Sequence, residues 1–517
     1  MASFYEELNQ RDAVSDEREN SESRKKMDQW IFYSLLVLIG FMPLIVMANV
    51  QEVISPLISN VDVLSSGIKG DLFTHYKALM LLIVTLFVSA LFLGKIFFMG
   101  GTIRKTYLNY VLGVFVVAIV VSTIASPNTS IALNGQYNHS DGAISWLCYV
   151  ALLFIAMNIE YPKNVIKYIV YTMMPFVYIN LYIITMNFYG KDLLQNAWAQ
   201  SLVSIMLPEG SSISEGSALV GTLNQWNYMS GMFAMMTVMY LAWAVTSQKW
   251  VDNIVGAVTA SAAIIVMFMS VSTSGFLTVL VVGAVILVAA LLTKKKGQAV
   301  VSLAIFFLIA APVFHVLAEK DYRVWTESFG FFTEKNPYME EVTALLNTTN
   351  VAHASKEVLE LPVLPERATA AGSGRTYIWD KTLDLVGNRA ILGYGNDTLI
   401  YNFPHYSLDA RSGMKDENTI TDKPHNQFVG VLYGFGIFGL VALVMLVVAT
   451  GIAAFRAIIK KAWAELVLAL TILAYFSQSM FNDSLPASSG FTFVLIGILF
   501  AQQVIKSQEN AVNGRNN

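Results

Sequence analysis

The chain has 517 residues, of which 55% are hydrophobic and only 13% are charged, and its mean hydropathy is positive. Soluble domains carry about a quarter charged residues, so this composition indicates an integral membrane protein. The formal net charge of −3 gives no sign of a nucleic-acid partner. The single cysteine, Cys148, excludes an intrachain disulfide, and one Cys with six His argues against a Cys/His metal site. We therefore expect no cofactor.

Long apolar runs predict an all-α polytopic membrane protein with about twelve transmembrane helices. The predicted spans are 30–49, 78–94, 107–125, 144–160, 165–188, 227–246, 253–272, 275–293, 298–317, 427–452, 463–481 and 487–505. The chain then divides into a disordered tail (1–29), spans one to nine (30–317), a large loop (318–426), spans ten to twelve (427–505) and a second tail (506–517).

The distribution of Lys and Arg sets the predicted orientation. Of the 33 Lys and Arg, 19 fall on one side of the membrane when the twelve spans are threaded. Because cytoplasmic segments carry the excess of positive charge, both termini are expected in the cytoplasm. The loop 318–426 then lies outside, between spans nine and ten, and most of the polar sequence faces the outer side.

Twelve spans would also suit a secondary transporter. Transporters place ionisable residues near the membrane midplane, where they bind substrate or coupling ions. No Asp, Glu, Lys or Arg falls in the middle third of any predicted span, and Glu160, Glu465 and Asp483 all lie at span ends. The polar outer loops are therefore the better place to look for function.

The large loop contains the stretch SGRTYIWDKTLDLVGNRAILGYGNDTL, residues 373–399. Ser373 is suited to cap a helix that begins near residue 375, and Gly387 with Asn388 could end it. Arg375 and Trp379 are four residues apart and share one face of this helix. Gly393 and Gly395 predict a tight turn where backbone can approach a ligand closely.

The loop closes with Asp422-Lys423-Pro424-His425-Asn426, directly before span ten. A guanidinium binds phosphate oxygens without losing its charge, and an imidazole can accept a proton from a hydroxyl. Arg375 and His425 are therefore suited to a phosphate-linked donor and a hydroxyl acceptor. Two simpler interpretations remain open: a surface cation–π pair of Arg375 with Trp379, and a hydrogen-bonded interface role for His425.

Together these elements resemble the superfamily of O-antigen ligases and polysaccharide polymerases. The resemblance is carried by Arg375, Trp379, Gly393 with Gly395, His425-Asn426, and the glycine run 434–439 in span ten. Two upstream stretches are similar as well: Gly221-Thr-Leu-Asn-Gln-Trp-Asn227, which includes Asn224, and Gly135-Gln-Tyr-Asn-His-Ser-Asp-Gly142, which includes His139.

The resemblance implies a helical, GT-C-like glycosyltransferase in the bacterial cytoplasmic (inner) membrane with its active site on the extracytoplasmic face. Its donor would be a polyprenyl (undecaprenyl) diphosphate-linked glycan, and the reaction would be inverting and metal-independent. Arg375 would hold the diphosphate and His425 would orient or deprotonate the acceptor hydroxyl. Trp379, Gly393, Gly395 and Asn426 would support them, and Asn224 and Asn227 are further candidates for contact with the substrate.

Two positions depart from the family pattern. Gly275 stands where an arginine is expected at the start of span eight, and His139 occupies an arginine position in the upstream loop. A diphosphate calls for more than one cation, so another residue should substitute. Arg367, His139, Arg323 and Lys423 are the candidates, with Arg367 and His139 ranked first by their proximity to the motifs.

The leading hypothesis is a polymerase that joins lipid-linked repeat units of a surface polysaccharide. The alternatives are a ligase that transfers finished glycan to a lipid, protein or cell-wall acceptor, a lipid-linked-oligosaccharide flippase or other transporter, and a catalytically inactive scaffold. The expected partners are the glycan donor, the glycan acceptor and the lipid bilayer, with a flippase and a chain-length regulator as further candidates.

Overall fold

The fold is a bundle of long apolar helices whose polar connections gather at the two ends. The computed structural model describes the backbone of residues 2–59, 61–211, 213, 219–223, 225–333, 335–339, 365–415 and 419–513. Side chains are described from residue 16 to residue 504 within these ranges. Nearly all regular structure in them is helical, as the all-α prediction requires.

Within the described ranges, twelve helices correspond to the predicted spans and six shorter helices lie in the connections. The helices are α1 (Ala2–Phe41), α2 (His75–Phe98), α3 (Leu108–Ile124), α4 (Thr129–Asn134), α5 (Ala143–Met157), α6 (Val165–Phe188), α7 (Ala197–Val203), α8 (Trp226–Thr246), α9 (Trp250–Met269), α10 (Thr273–Leu292), α11 (Lys296–Lys320), α12 (Arg323–Thr326), α13 (Arg375–Arg389), α14 (Leu399–Asn402), α15 (Ala410–Gly413), α16 (Gln427–Lys460), α17 (Trp463–Gln478) and α18 (Pro486–Asn513). Four 3₁₀ turns complete them: Met42–Leu44, Asp62–Leu64, Leu193–Gln195 and Phe329–Phe331.

Among the described residues, nine helices are long and apolar enough to cross a membrane. The other three predicted spans correspond to shorter apolar helices, namely α3, α5 and α17. A helix of about 17 residues extends only about 25 Å, slightly less than the hydrocarbon core. The chain is thus an all-α polytopic membrane protein, whereas the number of crossings and the side of each terminus stay predictions.

The N-terminal segment differs from the sequence expectation. We predict a disordered tail over 1–29, but α1 is helical from Ala2 onwards and continues into the first apolar run. Charged side chains on successive turns provide a physical reason. Arg18 pairs with Glu22 at 3.6 Å, and Arg24 pairs with Glu17 at 2.7 Å and donates to the carbonyl of Met99.

Helix α8 is the centre of the bundle, because its whole apolar length is buried. It packs against α9, α10 and α17, and α18 packs against α5. Gly275 of α10 lies directly against Ser230 of α8, so a Cβ at this position would overlap the Ser230 hydroxyl. This close approach explains why a residue without a side chain stands there.

The connections at the same end of the bundle as the large loop begin with a two-stranded antiparallel hairpin. Strand β1 (Asn49–Val53) pairs with β2 (Gly67–Asp71), with Asn49 opposite Asp71 and Val53 opposite Gly67. The large loop forms a second, smaller apolar cluster of its own, which includes Tyr377 and Phe403 and packs onto Tyr433 of α16.

Helix α13 begins at Arg375 as expected, although its cap differs from the prediction. Gly374, with φ at 89°, holds the N-cap position, and no side chain caps the helix. The helix also continues through Gly387 and ends at Arg389. The backbone turn that follows it comes from Gly393 and Gly395, which both have positive φ.

Candidate active site

The glycine turn after α13 attaches the large loop to a broken helix. Helix α16 is interrupted at Gly436, whose backbone is not helical (φ 70°, ψ −170°). The interruption leaves the carbonyls of Tyr433 and Gly434 without their usual helical donors. They accept hydrogen bonds from the amides of Tyr394 and Gly395 instead, each at 2.9 Å.

Both predicted turn glycines are needed for this attachment. Gly393 has φ at 69°, and a Cβ on it would overlap the carbonyl of Gly434. Gly395 has φ at 86°, and a Cβ on it would lie 2.5 Å from the Cβ of Ala132. Their role is therefore to permit backbone packing that holds α13 in place.

Trp379 and Asn426 fix the short segment that carries His425. The indole Nε1 of Trp379 donates a hydrogen bond to the carbonyl of Pro424 at 2.8 Å. Asn426 caps α16, since its Oδ1 accepts from the amides of Phe428 and Val429 at 3.0 and 3.2 Å. His425 itself has φ at 51°, a left-handed conformation that these contacts maintain.

His425 forms a dyad with an aspartate that the sequence analysis placed only at a span end. Its Nδ1 lies 2.8 Å from Oδ2 of Asp483, which is 4% exposed in the turn between α17 and α18. The Tyr228 hydroxyl of α8 donates to the same carboxylate oxygen at 3.5 Å. The imidazole is 33% exposed, and its Nε2 is 3.9 Å from the nearest carboxylate oxygen of Asp422.

The electrostatic surroundings make His425 a stronger base than a free imidazole. Burial works against the imidazolium, but the carboxylates of Asp483 and Asp422 outweigh burial and raise the pKa of His425 above its usual value. The positive charge of the Arg375 guanidinium opposes this rise. The structure thus brings the two predicted catalytic side chains to one site.

Arg375 is half-buried at this site, and burial lowers its pKa while Asp483 and Glu327 oppose the change. Within the described part of the chain, its guanidinium makes no hydrogen bond or ion pair. Glu327 belongs to the first part of the large loop and accepts a hydrogen bond from the Thr273 hydroxyl at the start of α10. A carboxylate and a hydroxyl therefore line the region where the family pattern has a second arginine.

A second group of charged side chains lies buried beside the dyad. Lys423 Nζ is 3.2 Å from Oδ2 of Asp141 and 3.5 Å from Oδ1 of Asp397. His139 bridges two carboxylates, with Nδ1 2.9 Å from Asp397 Oδ1 and Nε2 3.2 Å from Asp422 Oδ2. Lys423 and His139 are only 5% and 4% exposed. We call these five residues the ion cluster.

Mutual pairing keeps most of the ion cluster charged despite burial. Burial opposes the charge on His139, but Asp397 and Asp422 outweigh it and raise the pKa of His139 to about 9. Burial would raise the pKa of Asp397, yet Lys423 and His139 hold it well below its usual range. Burial also raises the pKa of Asp141, to about 6, and Lys423 opposes this rise only in part.

These contacts change the interpretation of two predicted substrate ligands. His139 and Lys423 were candidates for the missing second phosphate contact, but both are enclosed by protein carboxylates. Lys423 also donates to the carbonyl of Ser484 at 3.3 Å. The ion cluster joins the loop before α5, the turn after Gly395, the end of the large loop and the turn before α18. The ion cluster therefore has a structural role, which is to hold these four segments together.

The remaining candidates lie in different surroundings. The carbonyl of Asn227, at the start of α8, accepts a hydrogen bond from Asn482 at 3.2 Å, one residue before Asp483. Arg367 is exposed in a segment that pairs with α15 through Ala368 and Arg411. Asn224 lies outside the described residues.

The sequence analysis missed the carboxylates, although every one of them stands within a stretch that it quoted or mentioned. Asp141 and Asp422 occur inside motif segments, Asp397 follows the Gly-x-Gly turn by two residues, and Asp483 lies at a predicted span end. Clustering of aspartates in short outer turns between apolar helices was the available signal. Among the described residues, no group of three or more His, Cys, Asp or Glu could hold a metal ion.

The fold and the site define an integral membrane protein with a polar site at one end of a helical bundle. Residues 257–444 match the family model for O-antigen ligase, a range that contains Arg375, Trp379, Gly393, Gly395 and His425. The match covers part of the chain, and it is to the family that the motifs of the large loop resemble. This partial match supports glycan ligase- or polymerase-type activity in general. No curated protein matches the chain.

Proposed function

We propose that the protein transfers a glycan from a polyprenyl diphosphate donor to a sugar hydroxyl at the outer face of the cytoplasmic membrane. In the leading form of this proposal it polymerises lipid-linked repeat units of a surface polysaccharide. The observation that supports it most directly is the dyad of His425 and Asp483 beside Arg375. Such an arrangement supplies a base and a cation within one site.

In this mechanism, His425 Nε2 accepts the proton of the acceptor hydroxyl while its Nδ1 stays bonded to Asp483. The acceptor oxygen forms a new bond to the anomeric carbon as the bond between that carbon and the diphosphate oxygen breaks. The configuration inverts, and the diphosphate leaves on its polyprenyl chain. Arg375 stabilises the negative charge that develops on the leaving group.

The test is the length profile of lipid-linked and released glycan in cells that carry wild type, Arg375→Ala or His425→Ala. The proposal expects long polymer to disappear while single lipid-linked repeat units accumulate. Matched controls are Arg456→Ala, an exposed arginine at the far end of α16, and His315→Ala, an exposed histidine of α11. Both controls should preserve the wild-type profile at equal protein levels.

Other outcomes distinguish the alternatives. In a ligase, polymer would still form in the two variants but would remain on its carrier lipid instead of reaching its final acceptor. In a flippase or other transporter, polymer length would be unchanged while export fails. A normal profile in both variants would show that Arg375 and His425 serve packing, as the simpler interpretations of the motif hold.

A further inference from the structure

A large polar cavity lies at the end of the bundle opposite to His425. It measures about 1430 Å³ and is bounded by α1, the connection between α2 and α3, the connection between α5 and α6, and Val504 of α18. Helix α18 starts at Pro486, beside Asp483, and Val504 lies about 27 Å further along it at 1.5 Å per residue. The cavity is therefore separate from the candidate active site.

Buried polar contacts fix the walls of this cavity. Lys95 Nζ lies 2.6 Å from Oδ1 of Asp28, and both side chains are buried. The Arg104 guanidinium donates to the carbonyls of Met157 and Ile159 at 2.6 and 3.0 Å. Helix α1 and two connections that are far apart in the sequence are thus held together around one space, which makes it a formed site.

The cavity carries an excess of positive charge. Its charged lining consists of Arg24, Lys25, Lys95, Arg104 and Lys105, together with Glu17, Asp28 and Glu160. Asp28 is paired with Lys95, and Glu17 with Arg24. Lys25 and Lys105 are exposed and make no ion pair within the described residues. Glu160 makes none there either, so the unpaired lining has a net positive charge.

Exposed aromatic residues stand close in the sequence to the lining of the cavity. Trp30 of α1, Phe97 and Phe98 at the end of α2, and Tyr107 before α3 are all more than half exposed. They stand within a few residues of the lining residues Asp28, Lys95 and Lys105. Aromatic residues of transmembrane helices collect at the depth of lipid headgroups, which is also the depth of lipid phosphates.

We infer that this cavity binds a phosphate anion, supplied by the headgroup of an anionic phospholipid in the adjacent leaflet. Lys25 and Lys105 contact the phosphate, while Arg104 and the pair of Lys95 with Asp28 shape the space around it. Basic pockets between transmembrane helices are suited to such headgroups. The inference does not depend on the proposed transferase function, because its readout is binding.

The test uses the purified full-length protein in detergent, with bound lipid counted by native mass spectrometry. Phosphatidylglycerol is titrated against phosphatidylcholine, and inorganic phosphate is tested separately at constant ionic strength. The variant is Lys25→Gln with Lys105→Gln. The matched control is Lys294→Gln with Lys460→Gln, which removes the same charge from two other exposed lysines.

We expect wild type and the control to prefer phosphatidylglycerol, and the Lys25/Lys105 variant to bind it about 30-fold more weakly. If inorganic phosphate displaces the lipid completely at millimolar concentration, the site takes a soluble phosphate rather than a headgroup. Undiminished binding of phosphatidylglycerol by the variant would overturn the inference. An equal loss in the control would also overturn it, because the effect would then be one of net charge alone.

Discussion

Replacing Lys423 by methionine separates a structural role for this lysine from a role in binding the donor. The Lys423 ammonium is 5% exposed and lies between Asp141 and Asp397, at 3.2 and 3.5 Å. Methionine nearly preserves its length but removes the charge. Loss of one partner from a buried ion pair costs about 3–5 kcal/mol, because the remaining charge is uncompensated. That is a large share of the 5–15 kcal/mol that folded domains typically possess.

The chain provides its own reporter for this measurement. Cys148 is the only cysteine and is 5% exposed in α5, the helix that follows Asp141. A thiol-reactive fluorescent dye should therefore label the protein only as it unfolds. We expect Lys423→Met to unfold several degrees below wild type, whereas Lys415→Met, an exposed lysine of the same loop, should stay within about 0.5 kcal/mol.

The effect should also depend on pH, because Asp141 has a pKa raised to about 6. Without Lys423 this pKa rises further, so Asp141 becomes neutral in the folded state as the pH falls. The destabilisation by Lys423→Met should thus be smaller at pH 5 than at pH 8. If the variant instead unfolds like wild type and only its KM for the donor increases, Lys423 binds the donor and its proposed structural role is wrong.

Three further variants test the dyad, the packing of α10 and the support of the segment that carries His425. Asp483→Asn removes the carboxylate that raises the pKa of His425, so the acidic limb of the rate–pH profile should move to lower pH. The maximum rate should fall by about 10²-fold or more. An acidic limb that does not move would exclude the dyad. Gly275→Ala should destabilise the folded protein by about 1–3 kcal/mol in the dye assay. Gly283→Ala, which has open space on the same helix, should be neutral or slightly stabilising. Equal effects of the two variants would contradict the packing argument. Trp379→Phe loses the hydrogen bond to the Pro424 carbonyl, worth about 1 kcal/mol, and should lower the transfer rate while the KM for the donor stays unchanged. A wild-type rate would mean that the indole does not position His425.

The long helices could be predicted well because their apolar runs carry a strong and local signal. Each predicted span has a helix in the structure, with ends that differ by only a few residues in most cases. The misses depend on weaker signals. The helical part of 2–29 relies on charge pairs between successive turns, and α13 passes through Gly387 because packing against α16 outweighs a single glycine.

The candidate site could be predicted only in part, for a geometric reason. Arg375 and His425 were found because each lies in a motif that is contiguous in the sequence. The partners were not, because Asp483 is 58 residues from His425 and Asp141 is 282 residues from Lys423. The packing of the helices determines which polar turns lie next to each other, and hydropathy patterns do not encode that packing.

The cationic side chains near the site differ in whether carboxylates of the protein already neutralise them. This difference bears on the arginine that was expected at position 275. His139 and Lys423 are enclosed by the carboxylates of the ion cluster, so their charge is used within the protein. Arg375 is half-buried and makes no hydrogen bond or ion pair in the described part of the chain, so its charge remains available to a ligand. An arginine at position 275 would have to displace Ser230 of the central helix. Packing as well as charge therefore opposes an arginine here, and Gly275→Arg alone should not create a second phosphate contact.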